Sequence, residues 1–210
     1  MTALVLATRN RKKLAELDRI LKAAGLERAL LTLDDVEVPE VVESGATFAE
    51  NAVLKAVATA AATGMTSVAD DSGLAVDALN GMPGVLSARW SGAGATDESN
   101  LRLVLDQTAD VPDDRRGAAF VCVAALAEPD GEVHTVEGRV TGRLLRAGLG
   151  DGGFGYDPIF VPDGYEATTA QLSPADKDAI SHRGQAFRRI AEVIRAGGGT
   201  RTRTPEGTGS

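Results

Sequence analysis

The sequence predicts an α/β fold with a long mixed central sheet and two lobes flanking a cleft. Three observations carry that prediction. Short apolar runs alternate with helical periodicity through the first half of the chain, and a β-hairpin pattern occupies the second half. A hydrophobic content of 43% over 210 residues lets the chain bury about two thirds of its unfolded surface.

The elements follow in order. Ala3 to Ala7 is a short apolar run stopped by Thr8-Arg9-Asn10, after which Leu14, Leu17 and Leu21 recur at helical spacing up to Gly25. Leu30 to Leu33 reads as a second strand, followed by an acidic, irregular stretch through Glu37, Glu40 and Glu43. Thr47 and Glu50 form a capping box that opens an alanine-rich helix running to Gly64, with Asn51 and Lys55 on one stripe. Thr66 to Ala69 predicts a strand that ends at Asp70-Asp71-Ser72-Gly73, and a helix enters near Thr96-Asp97. Ala118 to Ala127, Pro129-Asp130-Gly131 and Val133 to Val140 predict a hairpin with an Asp-Gly turn. Gly148 to Pro158 is too glycine-dense for the interior of any element. Ser173-Pro174-Ala175-Asp176 has the cap, proline and acidic first turn of a helix start, and Phe187, Ile190, Ala191 and Ile194 share one face of a last helix. The expected organisation is one two-lobed domain over residues 1–196 and a disordered tail over 197–210, which lacks large apolar side chains.

Charge and composition exclude several functions. With 30 acidic and 22 basic side chains the net charge is −8, which argues against a sequence-independent grip on nucleic acid. The single cysteine, Cys122, cannot form an intramolecular disulfide, and with two histidines it cannot assemble a zinc cluster. The longest apolar stretch is half of what a membrane-spanning helix of about 20 residues requires, so the chain reads as soluble, untargeted and cytoplasmic.

Four groups of residues invite chemistry. Thr8-Arg9-Asn10-Arg11-Lys12-Lys13 lies where a strand hands over to a helix, which favours an anion, although a solvated basic turn has the same appearance. Asp70-Asp71, with Glu40 or Glu43, offers the hard oxygen ligands that Mg²⁺ prefers. In an extended chain the paired carboxylates point to opposite faces, so one of them is free to hold the loop instead. Phe154-Gly155-Tyr156-Asp157 sets two aromatic rings in a glycine-rich stretch, where a planar ligand can stack or a turn can pack. Lys55, Lys177, His182 and Arg183 are ordinary surface residues when taken singly.

Together these segments closely resemble the inosine/xanthosine triphosphate pyrophosphatase family. The resemblance runs in order over roughly residues 3 to 194. It is carried by Ala7-Thr8-x-Asn10-x-x-Lys13, Glu43-Ser44-Gly45-x-Thr47-Phe48-x-Glu50-Asn51-Ala52, Ala69-Asp70-Asp71-Ser72-Gly73-Leu74, Gly81-x-Pro83-Gly84-x-x-Ser87-Ala88-Arg89, Gly152 to Pro158, and Ser181-His182-Arg183-Gly184.

The resemblance implies a Mg²⁺-dependent homodimer that converts non-standard purine nucleoside triphosphates (ITP, dITP, XTP) to monophosphate and pyrophosphate. It implies that Thr8, Asn10 and Lys13 hold the triphosphate from the loop Thr8 to Lys13, with Lys55 adding charge, and that Glu43 and Asp71 position the metal. Asp71 would also accept the proton, with Ser72 beside it. Phe154 would stack on the base, and Gly155, Tyr156, Asp157, Lys177, His182 and Arg183 would line its pocket. Arg9 and Lys12 stand where many members have glycine, and Trp90 where tyrosine is common. The chain lacks the glutamate-rich helix motif of a nudix hydrolase.

Overall fold

A computed structural model describes residues 3–26 and 29–197. The elements are β1 (Leu4–Leu6), α1 (Arg11–Ala23), β2 (Leu30–Thr32), α2 (Phe48–Thr63), β3 (Ser67–Val76), α3 (Asp97–Gln107), β4 (Gly117–Ala127), β5 (Val133–Leu144), β6 (Phe160–Pro162), α4 (Pro174–Ile180) and α5 (His182–Gly197). The six strands form one mixed sheet in the order β2-β1-β3-β4-β5-β6. β1 runs parallel to β2 and β3, and the remaining pairs are antiparallel. The predicted α/β class and long mixed sheet are therefore present.

Local sequence explains most element ends. Asn10 caps α1 by accepting from the backbone N–H of Lys12 and of Lys13. Thr47 and Glu50 make the expected capping box of α2, and Gly64 closes that helix in the left-handed conformation. The hairpin β4–β5 turns through Asp130-Gly131, with the Glu128 N–H donating to the Glu132 carbonyl at 2.9 Å.

The expected strand end at Asp70 is corrected. β3 continues through Asp70-Asp71-Ser72-Gly73 to Val76, because every residue from Ser67 to Val76 pairs with β4, from Ala127 to Ala118. Ladder pairing outweighs the turn tendency of the Asp-Asp-Ser-Gly run. β2 stops at Thr32, one residue early, and β5 extends past Val140 to Leu144, where β6 pairs with its end. α5 takes in Gly197, the first residue of the expected tail, and the rest of that expectation, 198–210, lies outside the described residues.

Period-two alternation assigns the two faces of the sheet. Val68, Cys122, Ala124 and Leu126 pack with Leu17, Ile20 and Leu21 of α1 and with Phe187, Ile190 and Ala191 of α5. Ala69, Val123, Ala125 and Ala127 pack on the other face against Ala52, Ala56 and Ala60 of α2. The small side chains of α2 let that helix lie close to the sheet. A third cluster joins Leu74, Val76 and Phe120 to Val104 of α3 and to Phe160. Each large apolar side chain so buried contributes about 1.5–3 kcal/mol. Among the described residues no helix is long and apolar enough to cross a membrane.

Candidate active site

A cleft of about 410 Å³ opens along the edge of these elements. Residues from the loop after β1, from α2, from β3, from the glycine-rich stretch and from the start of α5 line it together.

The alternation that sorts the core also sorts the two aspartates. Asp70 shares the face of Val68 and therefore looks towards α1 and α5. There its Oδ2 receives Lys13 Nζ at 2.9 Å, Ser72 Oγ at 3.1 Å and Arg183 Nε at 3.4 Å. Burial alone raises the pKa of this carboxyl, yet Lys13, Arg183 and Lys55 outweigh it and hold Asp70 well below the usual carboxylate range.

Asp71 shares the face of Ala69 and looks towards α2. Its Oδ2 accepts from Asn51 Nδ2 at 3.1 Å, and Lys55 Nζ lies 3.7 Å from Oδ1. Here burial wins, and the Asp71 pKa is raised despite Lys55 and Asn51. Glu43, from the irregular segment before α2, takes the same Lys55 amino group at 2.7 Å. One ammonium thus serves two carboxylates from separate elements. Burial lowers the Lys55 pKa, but Asp70, Asp71 and Glu43 raise it further, so it stays charged.

The other end of the cleft is built on a buried ion network. Arg183, only 4% exposed, donates Nη1 to Glu16 Oε2 at 2.6 Å and Nη2 to Ser72 Oγ at 2.8 Å. Lys177 lies 3.5 Å from Glu16 and 2.7 Å from Asp157 Oδ2. Asp157 also accepts from the backbone N–H of Phe154 at 2.8 Å and from Thr169 Oγ1 at 2.8 Å, which fixes the tight loop beneath Phe154. Gly153 is required there because its φ is +70° and a Cβ would lie 2.1 Å from the Asp157 carboxylate.

The Phe154 ring centroid lies 5.0 Å from Lys177 Nζ, 5.1 Å from Arg183 Cζ and 5.7 Å from Lys12 Nζ. His182 is buried and stacks on Phe120, with centroids 4.9 Å apart and planes at 9°. Burial first, then the charges of Arg183 and Lys177, hold its pKa well below the ordinary histidine value, so the ring is neutral.

The expected site residues Thr8, Arg9, Asn10, Lys13, Glu43, Lys55, Asp71, Ser72, Phe154, Gly155, Tyr156, Asp157, Lys177, His182 and Arg183 all line this one cleft. Arg11 is exposed and is not among the lining residues. Lys12 reaches across to Asp97 Oδ2 at 3.0 Å instead. Tyr156 is buried, with its hydroxyl donating to the Ser87 carbonyl at 2.8 Å.

The profile of the Ham1 family matches residues 4–193. The chain belongs to the Ham1 family. It is similar to the dITP/XTP pyrophosphatase of Streptomyces coelicolor, at 55% identity over 196 residues, covering 93% of this chain and 98% of that protein. It is 57% identical over 198 residues to the dITP/XTP pyrophosphatase of Mycobacterium tuberculosis, covering 93% of this chain and 97% of the relative. Among solved structures, the HAM1 protein from Coxiella burnetii superposes with a TM-score of 0.85 at 41% identity, over 93% of this chain and 99% of that one. The nucleoside-triphosphatase / dITP/XTP pyrophosphatase from Mycobacterium abscessus gives 0.74 at 54% identity, over 90% and 98%.

Within this Ham1 site, sequence reasoning missed Glu16. A glutamate between Leu14 and Leu17 on an apolar stripe, three residues after Lys13, is the signal that marked it, since a buried carboxylate requires cationic partners.

Proposed function

We propose that this chain hydrolyses non-standard purine nucleoside triphosphates, ITP, dITP and XTP, to the nucleoside monophosphate and pyrophosphate. The observation that carries the reading is one cleft that joins a cationic loop, a pair of carboxylates and an aromatic ring backed by buried donors. Its support from outside the molecule is identity of 55% and 57% to proteins named dITP/XTP pyrophosphatase.

In this reading Thr8, Asn10, Lys13 and Lys55 bind the triphosphate, and Arg9 and Lys12 add charge around it. The acidic net charge is no obstacle, because the cations are concentrated at this loop. Water attacks the α-phosphorus, its proton passes to Asp71, and pyrophosphate leaves. Burial raises the Asp71 pKa in the metal-free chain, which makes this carboxylate a stronger base than an exposed one. Preorganised ammonium groups stabilise the charge that accumulates on the phosphoryl oxygens.

The donor set fits Mg²⁺. Glu43 and Asp71 already converge on one cation, the Lys55 ammonium, and both offer hard oxygen atoms. Among the described residues no group of three or more His, Cys, Asp and Glu gathers as a metal cluster. Mg²⁺ usually keeps several waters and takes only one or two protein carboxylates beside the substrate phosphates. Bound there, Mg²⁺ would neutralise phosphate charge and polarise the phosphoryl oxygens.

For the base, Phe154 supplies a stacking face, and Gly155, Tyr156, Asp157 and Lys177 shape the pocket. Hypoxanthine and xanthine carry an acceptor oxygen at position 6, where adenine carries a donor amino group. N–H donors of His182 and Arg183 are left unpaired by adenine, and that penalty rejects it. We further take residues 1–196 as one catalytic unit that works as a homodimer in the cytoplasm, where nucleotide pools lie.

The test is product analysis. Purified protein with Mg²⁺ is given ITP, XTP, GTP, ATP and dTTP in parallel, and pyrophosphate is scored separately from orthophosphate. Pyrophosphate from ITP and XTP far above GTP and ATP is expected. Turnover mainly of dTTP, or release of orthophosphate alone, overturns the proposal.

A further inference from the structure

Asn51 lies in the first turn of α2 and is completely buried, although a carboxamide has no apolar reason to be there. Both of its ends are used. Oδ1 accepts from the backbone N–H of Gly45 at 2.8 Å, and Nδ2 donates to Asp71 Oδ2 at 3.1 Å. The two ends are not interchangeable, because an amide N–H can only donate. The oxygen must therefore face Gly45, which leaves the NH₂ for the carboxylate.

Gly45 stands two residues after Glu43, in a segment without regular secondary structure. The Asn51 amide therefore ties the loop that carries Glu43 to the strand that carries Asp71. The approach is close, since a Cβ on residue 45 would lie 2.6 Å from Glu50 Cβ and 2.7 Å from Asn51 Oδ1. The φ of Gly45 is not in the left-handed region, so glycine supplies space here rather than backbone freedom.

Lys55 is four residues further along α2 and meets the same two carboxylates. Its ammonium supplies charge but no direction, because a flexible stem follows wherever the carboxylates go. Asn51 supplies direction through two hydrogen bonds from a short, buried side chain. We infer that Asn51 is a positioning residue that sets Glu43 and Asp71 relative to one another so that both ligate a single divalent cation. The inference rests on reading that pair as the metal site, and it adds a residue that touches neither metal nor nucleotide.

Asn51→Leu keeps the side-chain volume and removes both hydrogen bonds. Gly45→Ala pushes on the same link from the loop side without altering either carboxylate, and it carries the test if Asn51→Leu does not fold. Mn²⁺ alone is titrated into nucleotide-free wild type and both variants, with the free-ion signal read by electron paramagnetic resonance. ITP binding is measured separately in EDTA. Both variants are expected to bind Mn²⁺ about 10- to 100-fold more weakly, the usual effect of removing a partner that orients a metal ligand. Their metal-free affinity for ITP stays within about twofold of wild type, a change small on the free-energy scale of binding. Wild-type Mn²⁺ affinity in both variants overturns the inference, as does a parallel loss of Mn²⁺ and metal-free ITP binding, which marks a merely structural role. A wild-type protein that binds no Mn²⁺ removes the metal site itself, and the inference with it.

Discussion

Asp70 and Asp71 are consecutive on β3 and face opposite sides of the sheet, so one carboxylate is neutralised by Lys13 and Arg183 while the other is desolvated beside Asn51. The first is stabilising and the second is held at a cost. Asp70→Asn leaves Lys13 without its counter-charge and Arg183 with Glu16 alone, and loss of one partner from a buried ion network destabilises by about 3–5 kcal/mol. Asp71→Asn removes a carboxylate whose burial opposes its charge, so the metal-free melting temperature is expected to hold or rise while kcat falls by orders of magnitude. Thermal unfolding and steady-state kinetics on the two variants decide it. A large fall in Tm for Asp71→Asn, or near-normal turnover, contradicts the assignment.

The depressed pKa of Asp70 has a pH signature. Its folded-state pKa lies below the unfolded value of about 3.9, so its contribution is complete above that pH and is lost as pH falls towards the folded value. Wild type is expected to lose stability steeply below about pH 4, and Asp70→Asn, already destabilised, more gently. Urea denaturation midpoints from pH 6 to pH 3 give the comparison, and equal slopes contradict it.

Phe154 is expected to contribute mainly to substrate binding. Phe154→Ala raises KM for ITP by a factor corresponding to about 1–3 kcal/mol, the usual worth of stacking a base on an aromatic ring. The same truncation uncovers Lys177 and Arg183, which lie 5.0 and 5.1 Å from the ring. An unchanged KM assigns the ring to packing instead.

Lys12 and Asp97 join α1 to α3 across the cleft at 3.0 Å, but both side chains are more than half exposed. An exposed pair of this kind contributes about 0–1 kcal/mol, so Lys12→Ala leaves Tm unchanged. If Lys12 attracts the triphosphate, KM rises several-fold at low salt, and the difference fades as salt screens the charge. A salt-independent KM difference contradicts that role.

Much of this site was legible because its residues sit in short, ordered segments whose chemistry is local. The strand-to-helix handover at Thr8 to Lys13 and the capping box at Thr47 stand where neighbours in sequence put them, and Phe154 to Asp157 face the cleft, although Arg11 does not line it and Lys12 turns to Asp97. What escaped depends on distant pairing. Asp70 to Gly73 read as a turn because the β4 ladder that holds it extended lies some 50 residues away. Glu16 and Asn51 receive no role from the sequence, since the partners that make their burial possible, Arg183 and Asp71, come from α5 and β3.

His182 gives the last prediction. Its folded-state pKa is lowered, by burial first and then by Arg183 and Lys177, so the folded protein resists a proton that the unfolded chain accepts from about pH 6.5 downward. The sign follows directly: no contribution above that pH, and stability lost progressively as pH falls below it, by at most about 1.4 kcal/mol per pH unit. Asp71, whose pKa burial raises, is common to wild type and variant, so the difference between the two proteins isolates the histidine. His182→Gln cannot take up that proton, so its denaturation midpoint should vary less with pH over this window than that of wild type, whatever the substitution costs at pH 7. The stack on Phe120 predicts such an absolute cost, because the imidazole plane lies within 9° of the phenyl plane. Midpoints at half-unit steps for the two proteins test this, and parallel curves would mean that His182 becomes protonated within the folded state.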